Sequence, residues 1–455
     1  MGSVSEKDRG SWGSKIAFIF AASGSAIGLG SIWRFPIMVG TNGGAIFVFA
    51  YILAVILIGF TVMLAELTIG RHTQKNPVGA FNSIKPHTPW KAVGYMGVAT
   101  GVFILSYYSV VAGWALGYLY KTITGVFRGE VSWELSDHVF AHFAANPIEV
   151  LICLFIIIGL TTFVISKGVR EGIERWSKVL MPLLFALIIS LAIRALTLRG
   201  AGTGISFYLK PDFAKLNANI LFFAVGQAFF SLSLGMGTMM TYGSYISKKD
   251  NLVSSAGWVC FSDSLVAFLA GIIIFPTLFA TPGINPEGFK AEIGLMFQVL
   301  PLIISKIPGG YIFGVLFFML LLVAALTSTI SLLEVPTAFL VDERKWKRRK
   351  AAIFIGALSF LLGIPSALSN GGVSFLTRLG VMVKMDLIFG NIMLAVGAFF
   401  ICIFLAYSWG VSNALKEIAS GNKIFKVKPI WVFNIKFLAP FAVITILIFI
   451  IGIAR

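Results

Sequence analysis

Residues 23–36 read SGSAIGLGSIWRFP and lie in the apolar stretch 15–39, close to the start of the chain. Clustered glycine and serine residues loosen a helix, because glycine adopts many backbone conformations and serine competes for backbone hydrogen bonds. Residues 231–237, which read SLSLGMG, place a second cluster of this kind in the apolar stretch 218–246. Both clusters contain the pattern x-Gly-x-Gly, so the sequence indicates two helices that are interrupted in a similar way.

The composition of the chain decides the environment in which these helices lie. Of the 455 residues, 58% are hydrophobic and 12% are charged, and the mean hydropathy is +0.91. A soluble domain has roughly 25% charged residues, so this chain has too few polar residues to cover the surfaces of soluble domains. The same composition excludes a disordered, a collagen-like or a disulfide-rich protein. We therefore interpret the chain as an integral membrane protein.

Eleven stretches of the sequence are apolar and long enough to cross a bilayer as helices, which requires ~20 residues. They are 15–39, 44–69, 92–121, 148–166, 177–198, 218–246, 255–281, 310–341, 351–367, 382–409 and 431–453. These runs are continuous rather than alternating, which is typical of helices and not of membrane β-strands. The sequence therefore predicts an all-α membrane protein with eleven transmembrane helices.

The distribution of basic residues predicts the orientation of the chain in the membrane. With a cytoplasmic N-terminus and an extracellular C-terminus, about two thirds of the 36 Lys and Arg residues lie on the cytoplasmic side, as the positive-inside rule requires. The run RKWKRRK at 344–350 is the strongest local signal. We interpret the net charge of +17 as a topology signal beside anionic lipid of the bilayer, and we expect no nucleic-acid partner.

The two interrupted stretches are the first and the sixth predicted spans. Five spans make up each half, and an odd number of spans gives the two halves opposite orientations in the membrane. Paired broken helices at corresponding places in two halves are a strong indication of a secondary transporter's binding site. Gly24 and Gly28 also form a GxxxG pattern, so close helix packing is an open alternative. A dinucleotide-binding loop is excluded because no strand precedes the glycines.

Few ionisable residues lie within the predicted spans, where a charge costs at least ~2.5–3.5 kcal/mol unless it is paired. Asp263 lies near the middle of the seventh span, with no basic residue nearby in the sequence. A Na⁺ ion would compensate its charge, while a protonated carboxyl group or a proton relay are the alternatives. Thr327 and Ser328 place adjacent hydroxyl groups in the eighth span, where they can bind a cation or bond back to their own helix.

Motifs along nearly the whole chain resemble those of the neurotransmitter:sodium symporter family. They are GLGSIWRFP at 28–36, NGG at 42–44, Glu66, Gly70-Arg71, Tyr107-Tyr108, GQAFFSLSLG at 226–235 and Thr327-Ser328. They follow the order of the family, and eleven spans resemble its short bacterial branch. The resemblance implies Na⁺-coupled import of an amino acid, rather than an enzymatic activity, in the plasma (inner) membrane of a bacterium.

The resemblance also implies the leucine-transporter fold, a five-plus-five inverted repeat with unwound first and sixth helices. The chain then divides into a cytoplasmic gate segment 1–14, a first repeat 15–200, an extracellular connection 201–217, a second repeat 218–409, a cytoplasmic loop 410–430 and an eleventh span 431–455. Glu66, Gly172 and Pro182 match positions that support the helix breaks in this family.

The family's substrate site carries over to this chain by position. The carboxylate and amine of the substrate would contact Ala26, Gly28, Gly30, Tyr108, Phe230, Ser231 and Ser233. The side-chain pocket would consist of Ile104, Phe230, Met236, Ser328 and Leu332. This pocket has no charged residue, so the expected substrates are hydrophobic L-amino acids, both aliphatic and aromatic. The flexible Met236 favours a broad range of substrates.

The same resemblance implies two Na⁺ ions. The first would be bound by Ala26, Ser31, Ser231 and Asp263, together with the substrate carboxylate, and the second by Gly24, Ile27, Ala324, Thr327 and Ser328. Because the first ion would touch the substrate, binding of the two would be coupled directly. Ser31 departs from the family, which usually has Asn at this position.

Chloride is not expected to be required. Tyr51, Gln227 and Ser231 match part of the chloride site of animal relatives, but Asp263 can supply the negative charge itself. A proton-coupled carrier of the same fold, in which Asp263 titrates, is the alternative to Na⁺ coupling.

Two gates are implied as well. The outer gate would pair Arg34 with Asp386 and be closed by Tyr108 and Phe230. The inner gate would pair Arg9 with Asp342, supported by Trp12, Ser244 and Tyr245. Each ion pair can form only when its own side is closed, so the expected cycle is alternating access.

Overall fold

The computed structural model describes residues 10–281, 295–421 and 425–453, and these residues form helices without a β-strand. Nine of the described helices or continuous helical runs are long and apolar enough to cross a membrane, and a tenth span consists of two helices bent by 52°. The sixth predicted span is another broken pair, in which each half is short. Every predicted span therefore corresponds to helical structure.

We number these spans 1 to 11 in chain order. In that order they are Lys15–Ala26 with Gly30–Thr41, Ala45–Thr73, Lys91–Ile123, Pro147–Ser166, Val169–Leu196, Ala218–Ser231 with Thr238–Gly243, Leu252–Phe279, Gly310–Arg344, Arg348–Leu368, Ser374–Gly421 and Lys428–Phe449. Shorter helices in the connections are Pro77–Ile84, Trp133–Ala145, Ala201–Leu209, Phe213–Lys215 and Leu295–Lys306.

Two spans extend by eight residues or more beyond a predicted end. Span 5 begins at Val169 rather than at 177, and span 10 covers Ser374–Gly421 rather than 382–409. The additional residues of span 5 include a π-helical turn, Val169–Glu174. Charged residues near a helix end lower the local hydropathy without ending the helix, so an apolar pattern underestimates helix length.

Span 1 breaks after Ala26. Ile27 has an extended backbone (φ −74°, ψ 95°), and its N–H group donates to the carbonyl oxygen of Ser23. The second half starts with a π-helical turn, Gly30–Arg34, and Pro36 lies in the first turn of the helix that follows. A proline is tolerated there because the first N–H groups of a helix have no intrahelical acceptor.

Span 6 breaks between Ser231 and Thr238. Ser233, Gly235 and Gly237 have positive φ angles of 54°, 91° and 80°, a conformation that glycine adopts without steric cost. This loop leaves backbone groups outside the helical hydrogen-bond pattern, and at membrane depth such groups need partners within the protein.

Glu66 of span 2 provides those partners. Its side chain is fully buried, and its carboxylate accepts hydrogen bonds from the N–H groups of Gly235 (2.7 Å) and Met240 (3.3 Å). A single side chain therefore attaches both the loop and the second half of span 6 to a neighbouring helix.

The two breaks lie inside the bundle rather than at its lipid-facing surface. Span 8 packs along span 3, and the first half of span 1 contacts spans 5, 7 and 8. Ile27 and Leu234, at the breaks of spans 1 and 6, are fully buried. Large apolar side chains such as Phe155, Leu361 and Phe441 are exposed on spans 4, 9 and 11, where lipid would cover them.

A buried ion pair joins the end of span 2 to the end of span 10. Arg71 Nε lies 2.8 Å from Glu417 Oε1, and the two side chains are 0% and 8% exposed. Lys248, which follows span 6, also contacts the Glu417 carboxylate at 3.1 Å. Loss of one member of a buried pair is strongly destabilising because the other charge stays uncompensated.

We expect the substitution Glu417→Gln to lower the free energy of unfolding by ~3–5 kcal/mol, because it leaves the buried Arg71 charge without its partner. The matched control is Glu149→Gln, which removes a pair with Lys121 whose side chains are 36% and 19% exposed. That change is expected to cost less than about 1 kcal/mol. Thermal unfolding of the purified variants in detergent measures both effects, and equal shifts would contradict the prediction.

Candidate functional site

A small cavity lies where the breaks of spans 1 and 6 meet spans 3, 8 and 10. It is lined by Ser25, Ala26, Gly28, Gly30, Ile104, Tyr108, Phe230, Ser233, Met236, Ser328, Leu332 and Leu394. The structure thus brings together all the predicted substrate residues except Ser231, which faces away from the cavity toward Asp263. Ser25 and Leu394 also line the cavity, and neither was predicted from the sequence.

Spans 1, 3 and 8 approach each other closely at Gly28. A Cβ atom on this residue would lie 2.4 Å from the hydroxyl oxygen of Ser328 and 2.6 Å from that of Tyr108, so a larger residue would force these side chains apart. The Tyr108 hydroxyl also accepts a hydrogen bond of 2.8 Å from the N–H group of Leu29. Span 3 is therefore attached directly to the break in span 1.

The polar groups that border the cavity are uncharged. The described lining residues include the hydroxyl groups of serine and tyrosine side chains but no Asp, Glu, Lys, Arg or His. Ser233 Oγ donates to the carbonyl oxygen of Ser25 at 3.0 Å, and Ser328 Oγ donates to the same oxygen at 3.2 Å. The apolar part of the wall consists of Ile104, Phe230, Met236, Leu332 and Leu394.

A fully buried carboxylate, Asp263, lies next to the breaks. Its oxygens accept hydrogen bonds from Ser31 Oγ (2.5 Å), from Ser231 Oγ (2.8 and 2.9 Å) and from the hydroxyl group of Tyr51 (2.9 Å). These partners come from spans 1, 2 and 6, and they are neutral. Among the described residues, Asp263 has hydroxyl partners but no salt bridge.

Gln227 lies close to Asp263 and its hydroxyl partners. Its Nε2 donates to the carbonyl oxygen of Gly30 at 2.8 Å, while its Oε1 is buried without a hydrogen-bond partner among the described atoms. Ala267, one turn beyond Asp263, is fully buried and adds no charge. Asp263 is therefore the acidic group of this region.

The residues predicted for a second ion also lie together. Thr327 Oγ1 is 2.9 Å from the carbonyl oxygen of Ala324 and 3.5 Å from that of Ile27. A Cβ atom on Gly24 would lie 3.2 Å from Thr327 Cβ, and Ser328 follows on the same helix. Hydroxyl and carbonyl oxygens of spans 1 and 8 thus converge at the break in span 1.

The predicted outer gate differs from expectation in its geometry. Arg34 and Asp386 do not form a direct ion pair in the described structure, because Asn391 lies between them. Arg34 Nη2 donates to Asn391 Oδ1 at 2.8 Å, and Asn391 Nδ2 donates to Asp386 Oδ2 at 3.2 Å. The Arg34 guanidinium also lies 4.5 Å from the ring centre of Phe230, and Tyr107 donates to Asp386 at 3.0 Å.

The predicted inner gate is described in part, since Arg9 lies outside the described residues. Trp12 is buried; its Nε1 donates to the carbonyl oxygen of Tyr242 at 3.0 Å, and its N–H donates to that of Tyr245 at 3.2 Å. Asp342 accepts a hydrogen bond of 2.9 Å from the N–H group of Asn76. Ser244 lies between Tyr242 and Tyr245 in the sequence and is buried in the same region.

A further network, near the predicted inner gate, was not predicted from the sequence. Tyr245 donates to Glu334 Oε1 at 2.6 Å, and Arg348 forms a salt bridge with the other oxygen of this carboxylate. The network joins the end of span 6 to spans 8 and 9. Glu334 lies within span 8, and its partners come from other spans.

Gly172 and Pro182 both lie in span 5. Gly172 is part of the π-helical turn Val169–Glu174, and a Cβ atom on it would lie 2.1 Å from the carbonyl oxygen of Val164. Pro182 lies inside the helix Arg175–Leu196. In the described structure the span is therefore continuous, with an irregular turn at the position of the glycine.

Several known proteins resemble this chain in sequence and in structure. The profile of the sodium:neurotransmitter symporter family matches residues 9–146 and 134–454. An uncharacterized sodium-dependent transporter of Bacillus subtilis is 38% identical over 455 residues, which are 99% of each chain. The sodium-dependent serotonin transporter of Drosophila melanogaster is 30% identical over 424 residues, which are 83% of this chain and 67% of the relative.

Among solved structures, the crystal structure of MhsT in complex with L-phenylalanine matches with a TM-score of 0.87 and 43% identity, over 96% of this chain and 99% of that one. This match confirms the predicted all-α membrane architecture with the leucine-transporter fold. The similar proteins are transporters, which confirms the prediction of a transporter rather than an enzyme. The chain therefore belongs to the sodium:neurotransmitter symporter family, and it is a multi-pass membrane protein of Na⁺-coupled transport.

Proposed function

We propose that this protein imports hydrophobic L-amino acids together with Na⁺ by alternating access, without a chloride requirement. The observation that carries the proposal is the position of a buried carboxylate, Asp263, beside a neutral, largely apolar cavity at two broken helices. We place the protein in a bacterial plasma membrane with its N-terminus in the cytoplasm, as the distribution of basic residues favours.

The surroundings of Asp263 support a monovalent cation as the driving ion. A charged group at membrane depth costs at least ~2.5–3.5 kcal/mol unless it is compensated, and the described partners of Asp263 are neutral hydroxyl groups. Ala26, Ser31, Ser231 and Asp263 would bind the first Na⁺. Gly24, Ile27, Ala324, Thr327 and Ser328 would bind the second. Backbone oxygens of unwound helices are typical Na⁺ ligands in secondary transporters.

The cavity supports a zwitterionic substrate with an apolar side chain. Backbone groups at the breaks and the Tyr108 hydroxyl can satisfy a carboxylate and an amine, while a charged side chain would be buried without a partner. The match to a structure that contains L-phenylalanine is consistent with this chemistry. A proton-coupled carrier of the same fold remains the second candidate, because the hydroxyl partners of Asp263 also suit a carboxyl group that gains and loses a proton.

We expect uptake of radiolabelled leucine into proteoliposomes to require a Na⁺ gradient and to stop when choline replaces Na⁺. Asp263→Asn should abolish Na⁺-dependent uptake, because the amide lacks the charge that compensates the ion. Asp212→Asn is the matched control, since this side chain is 54% exposed in a connection between spans. Uptake driven by a pH gradient in the absence of Na⁺ would favour the proton-coupled candidate instead.

Replacement of chloride by gluconate should leave the initial rate of uptake unchanged. The reason is that Asp263 already places a negative charge against Tyr51 and Ser231, the residues that match part of a chloride site. The same proteoliposome assay with internal and external gluconate measures this. A collapse of uptake in gluconate would contradict chloride independence.

Asp342→Ala should open the cytoplasmic side of the transporter, because it removes the carboxylate predicted to pair with Arg9. The readout is alkylation of a cysteine introduced at Ser255, which is fully buried in span 7, in a background without Cys153, Cys260 and Cys402. We expect labelling to increase in Asp342→Ala and to stay low in Glu343→Ala, the matched control at the exposed neighbouring carboxylate. Equal labelling of the two variants would count against the gate.

A further inference from the structure

Span 10 forms one wall of the substrate cavity. Leu394, the first residue of the helix Leu394–Ile403, lines the cavity with Met236 and Leu332 and is 2% exposed. The π-helical turn Asp386–Met393 directly precedes it. This turn contains Asp386 and Asn391, which connect to Arg34 of the predicted outer gate. The same span therefore connects the outer gate to the wall of the cavity.

The loop of span 6 lies directly on the backbone of span 10. A Cβ atom on Gly397 would lie 1.9 Å from the carbonyl oxygen of Gly235, and one on Gly235 would lie 2.0 Å from the carbonyl oxygen of Leu394. Neither distance is sterically allowed, and both obstacles are backbone atoms that cannot rotate away. The approach of the two backbones therefore requires glycine at both positions.

The loop is also fixed from its other side. The N–H group of Gly235 donates to Glu66 Oε1 at 2.7 Å, so the residue is held between span 2 and span 10. Met236 follows immediately and borders the cavity. A side chain at position 397 would displace the loop and, with it, the Met236 side chain.

We propose that Leu394 and the Gly235–Gly397 contact set the largest substrate side chain that the cavity accepts. The inference deepens the proposed function and rests on it, since it concerns the selection among hydrophobic amino acids. In a closed apolar pocket, one methylene group changes discrimination by roughly 10–200-fold. Leu394 is thus a specificity-determining residue that separates aromatic substrates from small aliphatic ones.

The test measures Na⁺-driven uptake of radiolabelled valine in proteoliposomes and its inhibition by unlabelled valine, leucine, phenylalanine and tryptophan. Leu394→Phe should raise the half-inhibitory concentrations of phenylalanine and tryptophan at least about tenfold, while that of valine changes less than about threefold. Leu394→Ala should shift the ratio of the half-inhibitory concentration of tryptophan to that of valine in the opposite direction. Gly397→Ala should resemble Leu394→Phe, because the displaced loop reduces the space.

Gly226→Ala is the control for glycine replacement, since no atom lies within 4 Å of a Cβ at this position in span 6. Gly397→Ala can also destabilise the fold, so the two Leu394 variants decide the question. Unchanged selectivity in both, with valine uptake intact, would overturn the role of Leu394 and leave the proposed function standing. If wild-type protein takes up none of the four amino acids with Na⁺, the proposed function fails and the inference fails with it.

Discussion

Glu66 accepts hydrogen bonds from two backbone N–H groups in the broken part of span 6. At this depth in the membrane, water is not available as an alternative acceptor. This interaction allows a loop with three positive φ angles to persist inside a helical bundle. The backbone groups at the break in span 1 have different hydrogen-bond partners, namely the hydroxyl groups of Tyr108, Ser233 and Ser328. The cavity exists because both breaks are supported by side chains from neighbouring spans.

The predicted ion-binding and substrate-binding regions share the same structural elements. Ser231 belongs to the last turn before the break in span 6, and its hydroxyl group faces Asp263, while Phe230 next to it faces the cavity. Gly30 borders the cavity, and Gln227 donates a hydrogen bond to its carbonyl oxygen from the side of Asp263. Along these short segments, the two predicted regions are therefore separated by at most one residue.

The sequence predicted features that depend on local chemistry better than features that depend on helix orientation. Gly235 and Gly237 indicated a break because their conformational freedom is a property of the residues themselves. Leu394, by contrast, is one apolar residue in a long apolar span, and nothing local distinguishes the face that borders the cavity. Asn391 was missed for a related reason: an amide five residues after Asp386 reaches Arg34 only because the fold brings these parts of spans 10 and 1 together.

The amide of Asn391 determines which interactions must break when the predicted outer gate opens. A direct Arg–Asp pair would require the separation of two opposite charges whenever the vestibule opens, whereas here a neutral group is shared between them. Each of these two hydrogen bonds has one charged partner, and a hydrogen bond to a charged group contributes about 1.5–3 kcal/mol net. We therefore expect opening of the predicted outer gate to break hydrogen bonds to Asn391 rather than a direct contact between two opposite charges.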